Sequence, residues 1–271
     1  MIREKIIRKQ SEFDDFEINN NIVVGDEGCF YAAFNNNIFE IINIALSTNM
    51  KIRYITPVLS TKQLDLLKAY LILLSEQTQI KVVFNDTGLL YSLKKQILEN
   101  KIIPVFGRIL TKSIIDCQWY ENIICDENND VKNALSGNTF CHYAKMKVLE
   151  FYNIKEIEVN LNYVHFIQEL KSYGYLISAR FDNFLISVGR CCYTAYWNNL
   201  SIHTCMTEPQ CGKKIYIELE KKWSKRTKMF EYPIEEDKKY FANIFIQGTK
   251  VMSDISDNVY QYENIIDFLI F

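Results

Sequence analysis

Short apolar runs bounded by turn residues alternate along this chain with segments of helical period. NIVVGD (Asn21 to Asp26) is followed by a helical pattern from about Phe30 to Leu46 and then by KIRYITP (Lys51 to Pro57). Strand, helix, strand in that order is the signature of a parallel α/β sheet. Ser60 is placed to cap TKQLDLLKAYLILLSEQ, where Leu64, Leu67, Ile72 and Leu73 recur at roughly helical spacing. The strand IKVVFN, a helix through Leu89, Leu90, Leu93 and Ile97, and the strand IIPVF (Ile102 to Phe106) follow. After an Asn/Asp-rich stretch come a helix near His142 to Tyr152, the strand EIEVNL, the helix NYVHFIQELKSYG closed by Gly174, and the strands YLISA and NFLISVG. Beyond Cys211 the texture changes: KKIYIELE and KMFEYPI read as a hairpin-like pair, FANIFIQGT as a strand and VYQYENIIDFLIF as a short amphipathic helix. The pattern predicts an α/β fold, a (β/α) TIM-barrel-like domain, complete or incomplete, over residues 1–212. A small β-rich extension over 213–271 is expected to pack on it.

Polar residues gather at the carboxyl ends of these strands. Asp26 and Cys29 follow the first, Asn85 and Asp86 end the third, Gly107 and Arg108 the fourth, Asn160 the fifth, and Arg190 to Cys192 follow the last. Asp, Asn and Gly end many strands simply because they make turns. In a (β/α) barrel, however, those ends converge on one rim, where such folds place their chemistry. Asp86, Arg108 and Asn160 are therefore the candidate catalytic residues, and closure of the first strand against the last would bring Cys29 to Cys192. The weakly periodic stretch from Thr111 to Gly137 is long enough to cover such a rim.

Composition narrows the chemistry. With 271 residues, 48% of them hydrophobic, the chain can bury a large core, and a formal net charge of −2 gives no electrostatic case for nucleic acid. The basic run KKWSKRTK around Trp223 is answered at once by the acidic residues Glu235 to Asp237 and reads as a solvated hairpin. The opening MIREKIIRKQSEFDDFE lacks an apolar h-region, and no stretch approaches about 18 uninterrupted apolar residues, so a cytoplasmic protein without a membrane span is expected. In that compartment thiols stay reduced, which turns the eight cysteines from a disulfide framework into buried residues or ligands. Cys117, Cys125 and Cys141 lie in or beside apolar runs and read as small core residues. Three histidines, His142, His165 and His203, supply histidine-rich zinc catalysis or a Ser-His-Asp triad poorly. Cys29, Cys192, Cys205 and Cys211 remain, enough thiols for an iron–sulfur cluster or a zinc ion. Structural zinc usually grips short CxxC-like knuckles, and none occurs here.

VVGDEGC after the first strand, the turn VVFNDTGLL, GRCCYTAYW with its distal cysteines, and IFIQGTKVMSDI near the end together resemble the collagenase-like peptidase family, peptidase family U-32. Within it they look most like the UbiV-type iron–sulfur proteins of oxygen-independent ubiquinone biosynthesis. The resemblance implies a four-iron, four-sulfur (4Fe-4S) cluster on Cys29, Cys192, Cys205 and Cys211, with twelve residues between Cys192 and Cys205 as in that branch. Arg190 would offset the cluster's negative charge, and Tyr193, Tyr196 and Trp197 would shield it from solvent. Five residues separate Cys205 from Cys211, against three in the branch, and Cys191 stands beside Cys192 as an alternative ligand. GRILTKSIIDCQWYE is more like other members of the family. The resemblance further implies a redox enzyme, or a subunit paired with a second family member as a heterodimer, for oxygen-independent hydroxylation or a related modification of a small-molecule, RNA or peptide substrate. The alternative is a peptidase or a non-catalytic binding partner. No nucleophile–base pair supports hydrolysis, which would have to rely on Glu158, Asp86 and Arg108 to organise water or a metal.

Overall fold

A computed structural model describes residues 2–7, 21–111, 128, 131, 143–161, 164–181, 183–189, 191–198, 213–216, 244–254 and 265–270. Its strands are β1 (Ile2–Glu4), β2 (Asn21–Gly25), β3 (Lys51–Ile55), β4 (Ile80–Phe84), β5 (Ile102–Phe106), β6 (Glu156–Val159), β7 (Leu176–Arg180), β8 (Phe184–Val188), β9 (Ile215–Tyr216), β10 (Ile244–Gln247), β11 (Lys250–Ser253) and β12 (Phe268–Ile270). The helices are α1 (Phe30–Ala33), α2 (Asn36–Ser47), α3 (Thr61–Gln77), α4 (Thr87–Ser92), α5 (Lys94–Leu98), α6 (Tyr143–Phe151), α7 (Val164–Ser172) and α8 (Tyr193–Trp197).

The turns that return each helix to the sheet repeat one device. Asn49 after α2, Asn100 after α5, Asn153 after α6 and Gly174 after α7 all take positive φ, between 50° and 84°. These are the residues that enter the left-handed region at least cost, so each helix ends where the sequence places one. Helix starts are equally local: Asn35 accepts the Ile38 amide at 3.1 Å, and the Ser60 amide donates to Gln63 Oε1 at 3.0 Å.

Eight strands form one parallel sheet in the order β1-β12-β7-β6-β5-β4-β3-β2. Its two edges meet at a parallel bridge from Ile6 to Val23, supported by the Ile7 amide on the Val23 carbonyl at 2.8 Å. The result is a nearly closed barrel-like sheet, compatible with the barrel expected from the sequence. Alternate residues face opposite sides. Ile22, Val24, Ile52, Tyr54, Ile80, Val82 and Phe84 belong to the large core shared with the helices, whereas Ile6, Val23, Ile55, Val83, Val105 and Ile270 form a separate buried cluster on the inner side. Below that cluster Arg53 bridges Glu4 and Glu156, each at 2.6 Å, and Lys81 also reaches Glu156 at 2.7 Å.

Three expectations are corrected. The charged opening contributes β1, and closure runs through β1 and β12 instead of joining the NIVVG strand to the NFLISVG strand. NFLISVG, as β8, leaves the barrel and pairs antiparallel with β11 in a second sheet of order β8-β11-β10-β9. At the chain's end Phe268–Ile270 is a barrel strand, where a helix was expected, because β1 and β7 offer it ladders on both sides. A boundary at 212/213 consequently does not separate the two sheets. Among the described residues no helix is long and apolar enough to cross a membrane.

Candidate functional site

The carboxyl ends of β2, β5, β6 and β7 converge on a buried polar network. Glu27 stands two residues past β2, Arg108 two past β5, Asn160 directly after β6 and Asn183 three after β7. Arg108 Nε and Nη2 donate to the two Glu27 carboxylate oxygens at 2.7 and 2.6 Å. Its Nη1 donates to Asn160 Oδ1 at 3.2 Å and the Asn183 carbonyl at 2.8 Å, and Nη2 also donates to Asn183 Oδ1 at 2.8 Å. All five guanidinium hydrogens are thereby matched, so a side chain 1% exposed leaves no donor unsatisfied. Asn160 is likewise engaged, exchanging two 3.1 Å bonds with the backbone of Leu185.

Two carboxylates in this interior have opposite fates. Burial disfavours charge on Glu27, but Arg108 and Arg180 outweigh it and hold its carboxyl far below the usual range. Glu158 is 0% exposed, its oxygens make no hydrogen bond, and its nearest cation is Arg180 Nε at 3.7 Å. Burial therefore dominates there and raises its pKa, against the opposing pull of Arg180 and Arg108.

The cysteine loops lie on the same rim. Gly25, with φ +98°, turns the chain at the end of β2. Asp26 Oδ1 then accepts the amides of Gly28 and Cys29, both at 2.8 Å. Asp26 Oδ2 receives Lys250 Nζ at 2.6 Å, a buried pair in which the lysine overcomes the burial penalty and keeps the Asp26 carboxyl below its ordinary pKa. Lys250 begins β11, directly after the tight turn Gly248–Thr249 from β10. That turn also grips the second cysteine loop. Gly189 donates to the Thr249 carbonyl at 2.8 Å, Thr194 donates to the Gly248 carbonyl at 3.2 Å, and Gly248 donates back to Thr194 Oγ1 at 2.8 Å. Cys192 lies between Gly189 and Thr194, at the start of α8, where its Sγ accepts the Ala195 amide at 3.4 Å. Cys29, Cys191 and Cys192 are each partly exposed.

Among the sequence candidates, Arg108 and Asn160 meet, and the loops of Cys29 and Cys192 are tied to adjoining residues, Lys250 and Gly248–Thr249 respectively. Asp86 does not join them. Its two oxygens accept the amides of Leu89 at 3.0 Å and Leu59 at 3.2 Å, which makes it the cap of α4 facing the helical layer. Arg190, Cys205 and Cys211 lie outside the described residues, as does nearly all of the stretch from Thr111 to Gly137. Among the described residues, no three His, Cys, Asp or Glu side chains converge as a metal site.

Sequence reading missed the roles of Glu27, Arg180, Lys250 and Thr249. A signal for the interior charges was present: Arg53 and Lys81 interrupt apolar strands, and Glu156, Glu158 and Asn160 alternate along β6 with the period that points them all inward. Compared with models of known families, with curated proteins and with solved structures, the chain matches none.

Proposed function

We propose that the chain is an iron–sulfur protein of the U-32 peptidase-like type, built on a TIM-barrel-like (β/α) fold and working in the cytoplasm. In this reading Cys29 and Cys192, with Cys205 and Cys211, hold a 4Fe-4S cluster at the carboxyl rim of the barrel. The protein acts as a redox enzyme, or as a subunit with a related partner, in oxygen-independent hydroxylation or a similar modification.

The observation that carries the reading is the shared turn. Residues 29 and 192 are far apart in sequence, yet Asp26 of the first loop pairs with Lys250 while Gly189 and Thr194 of the second bond to Thr249 and Gly248, the two residues just before it. Both are partly exposed cysteines, the residue type that soft iron sites require. When bound, a cluster supplies one-electron transfer. The chain's own part is to hold the rim: Asp26 and Lys250 fix the Cys29 loop, and Arg108, fully engaged, anchors the neighbouring Glu27 to the barrel. In this reading Arg108 and Asn160 are scaffold for the loop. Glu158, deep in the same interior, is the group suited to hold a proton.

The experiment is to express and purify the protein without oxygen, record its absorption and assay iron and acid-labile sulfide. The expected result is a brown protein with about four iron and four sulfide per chain. Zinc alone, or no metal, overturns the reading.

A further inference from the structure

The turn between the cysteine loops carries one side chain whose polar atom is unused. Thr249 is 7% exposed, and its Oγ1 has no hydrogen-bond partner. Buried hydroxyls are nearly always partnered, so an exception points to an acceptor supplied by something other than the protein. Its position is specific. Oγ1 lies 2.5 Å from where a Cβ on Gly28 would stand, so the hydroxyl rests against the residue preceding Cys29. Thr249's own carbonyl takes the amide of Gly189, three residues before Cys192, at 2.8 Å.

We infer that Thr249 donates an O–H···S hydrogen bond to the sulfur atoms held between Cys29 and Cys192, and so raises the reduction potential of the cluster. The inference rests on the cluster reading above. Thiolate and bridging sulfide accept hydrogen bonds, and they gain negative charge on reduction, so a fixed donor stabilises the reduced form more than the oxidised one. The donor is held on both sides. Lys250, the next residue, is locked to Asp26 at 2.6 Å, and Gly248, the preceding one, exchanges two bonds with Thr194 at 2.8 and 3.2 Å. Gly28 leaves the room: any side chain there would fall on Thr249 Oγ1 and on Lys250 Cγ, both at 2.5 Å.

The test compares wild type with Thr249→Val, Thr249→Ala and Thr249→Ser, all purified without oxygen. Iron and sulfide are assayed in each, and the midpoint potential is read by redox titration followed by electron paramagnetic resonance. The Val and Ala variants should load as wild type does but titrate at a more negative potential, with Ser at the wild-type value. Loading by Ser alone, at the wild-type potential, would support the same role, since Ser keeps the hydroxyl. Equal potentials in all four proteins, or loss of the cluster in all three variants, overturn the inference and leave the cluster reading standing. A wild-type protein without iron and sulfide sinks both.

Discussion

Glu27 and Arg108, 81 residues apart in sequence, share two hydrogen bonds of 2.6 and 2.7 Å inside the mouth of the barrel. Both are almost completely buried, so removing one partner strands a charge in a medium that solvates it poorly. Glu27→Gln or Arg108→Met should each lower unfolding free energy by about 3–5 kcal/mol, measured by chemical denaturation. Arg108→Lys should not restore it, because a point-like ammonium cannot reproduce five donors in a fork. The double variant Glu27→Leu with Arg108→Met should recover much of the loss. A single variant within about 0.5 kcal/mol of wild type would contradict this account.

Glu158 sets a pH dependence of opposite sign to an ordinary ion pair. Its folded pKa is raised above 4.5 by burial, while Arg180, Arg108 and Arg53 pull it down and Glu27 pushes it up. Between the unfolded and folded values the folded state holds the extra proton, so this group's contribution is full below about 4.5 and is lost as pH rises through the folded pKa. Glu27, depressed instead, contributes fully above its unfolded value, and that contribution is lost progressively as pH falls from about 4.5 through the folded pKa. Glu158→Gln mimics the protonated form. The variant should therefore gain stability on wild type as pH rises from about 4.5 through the folded pKa, by no more than about 1.4 kcal/mol per pH unit. Parallel stability curves for the two proteins across that range would refute the assignment.

Neighbours in an extended segment face opposite ways, so Cys191 and Cys192 cannot serve one site equally. Cys192 is the one whose sulfur is fixed, by the Ala195 amide at 3.4 Å. Cys192→Ala should remove most of the iron from anaerobically purified protein, and Cys191→Ala should leave it near the wild-type content. The reverse ranking would transfer the ligand role to Cys191.

At Gly25 two requirements coincide. The residue has φ +98°, and a Cβ there would run into the backbone carbonyl of Ile55 on the adjacent strand, which has no flexible end to give way. Gly25→Ala should cost roughly 2 kcal/mol or more and displace the Asp26–Cys29 turn. Thermal unfolding reads the first effect, and faster alkylation of Cys29 in metal-free protein reads the second.

The repeating βα units were legible because parallel strands buried on both faces make continuous apolar runs, and because Asn and Gly mark the helix ends. IIPVF falls on a strand as read, and so does the IFIQ of FANIFIQGT, Ile244–Gln247. Ile2–Glu4 and Phe268–Ile270 were not legible: three-residue strands show no period, and each exists because the other is there to pair with it. For the candidate site, residue type together with position at strand ends brought Cys29, Cys192, Arg108 and Asn160 forward as candidates. It could not separate Asp86 from them, since a strand-end aspartate that caps a helix and one that faces the barrel axis look alike in sequence. Nor could it find Lys250, whose importance comes from a partner 224 residues away.

That separation also dictates an order of assembly. Gly248–Thr249 and Lys250 are made long after the Cys29 loop they steady, and β12, which completes the ladder beside β1, is later still. On the ribosome, the first cysteine loop therefore waits, with its aspartate lacking this partner, until Lys250 has emerged. Contacts of such long range are slow to form. Under the cluster reading proposed above, iron and sulfide are delivered only after these contacts form, and a lesion at the Ile6–Val23 seam that slows barrel closure should leave colourless protein in the cell.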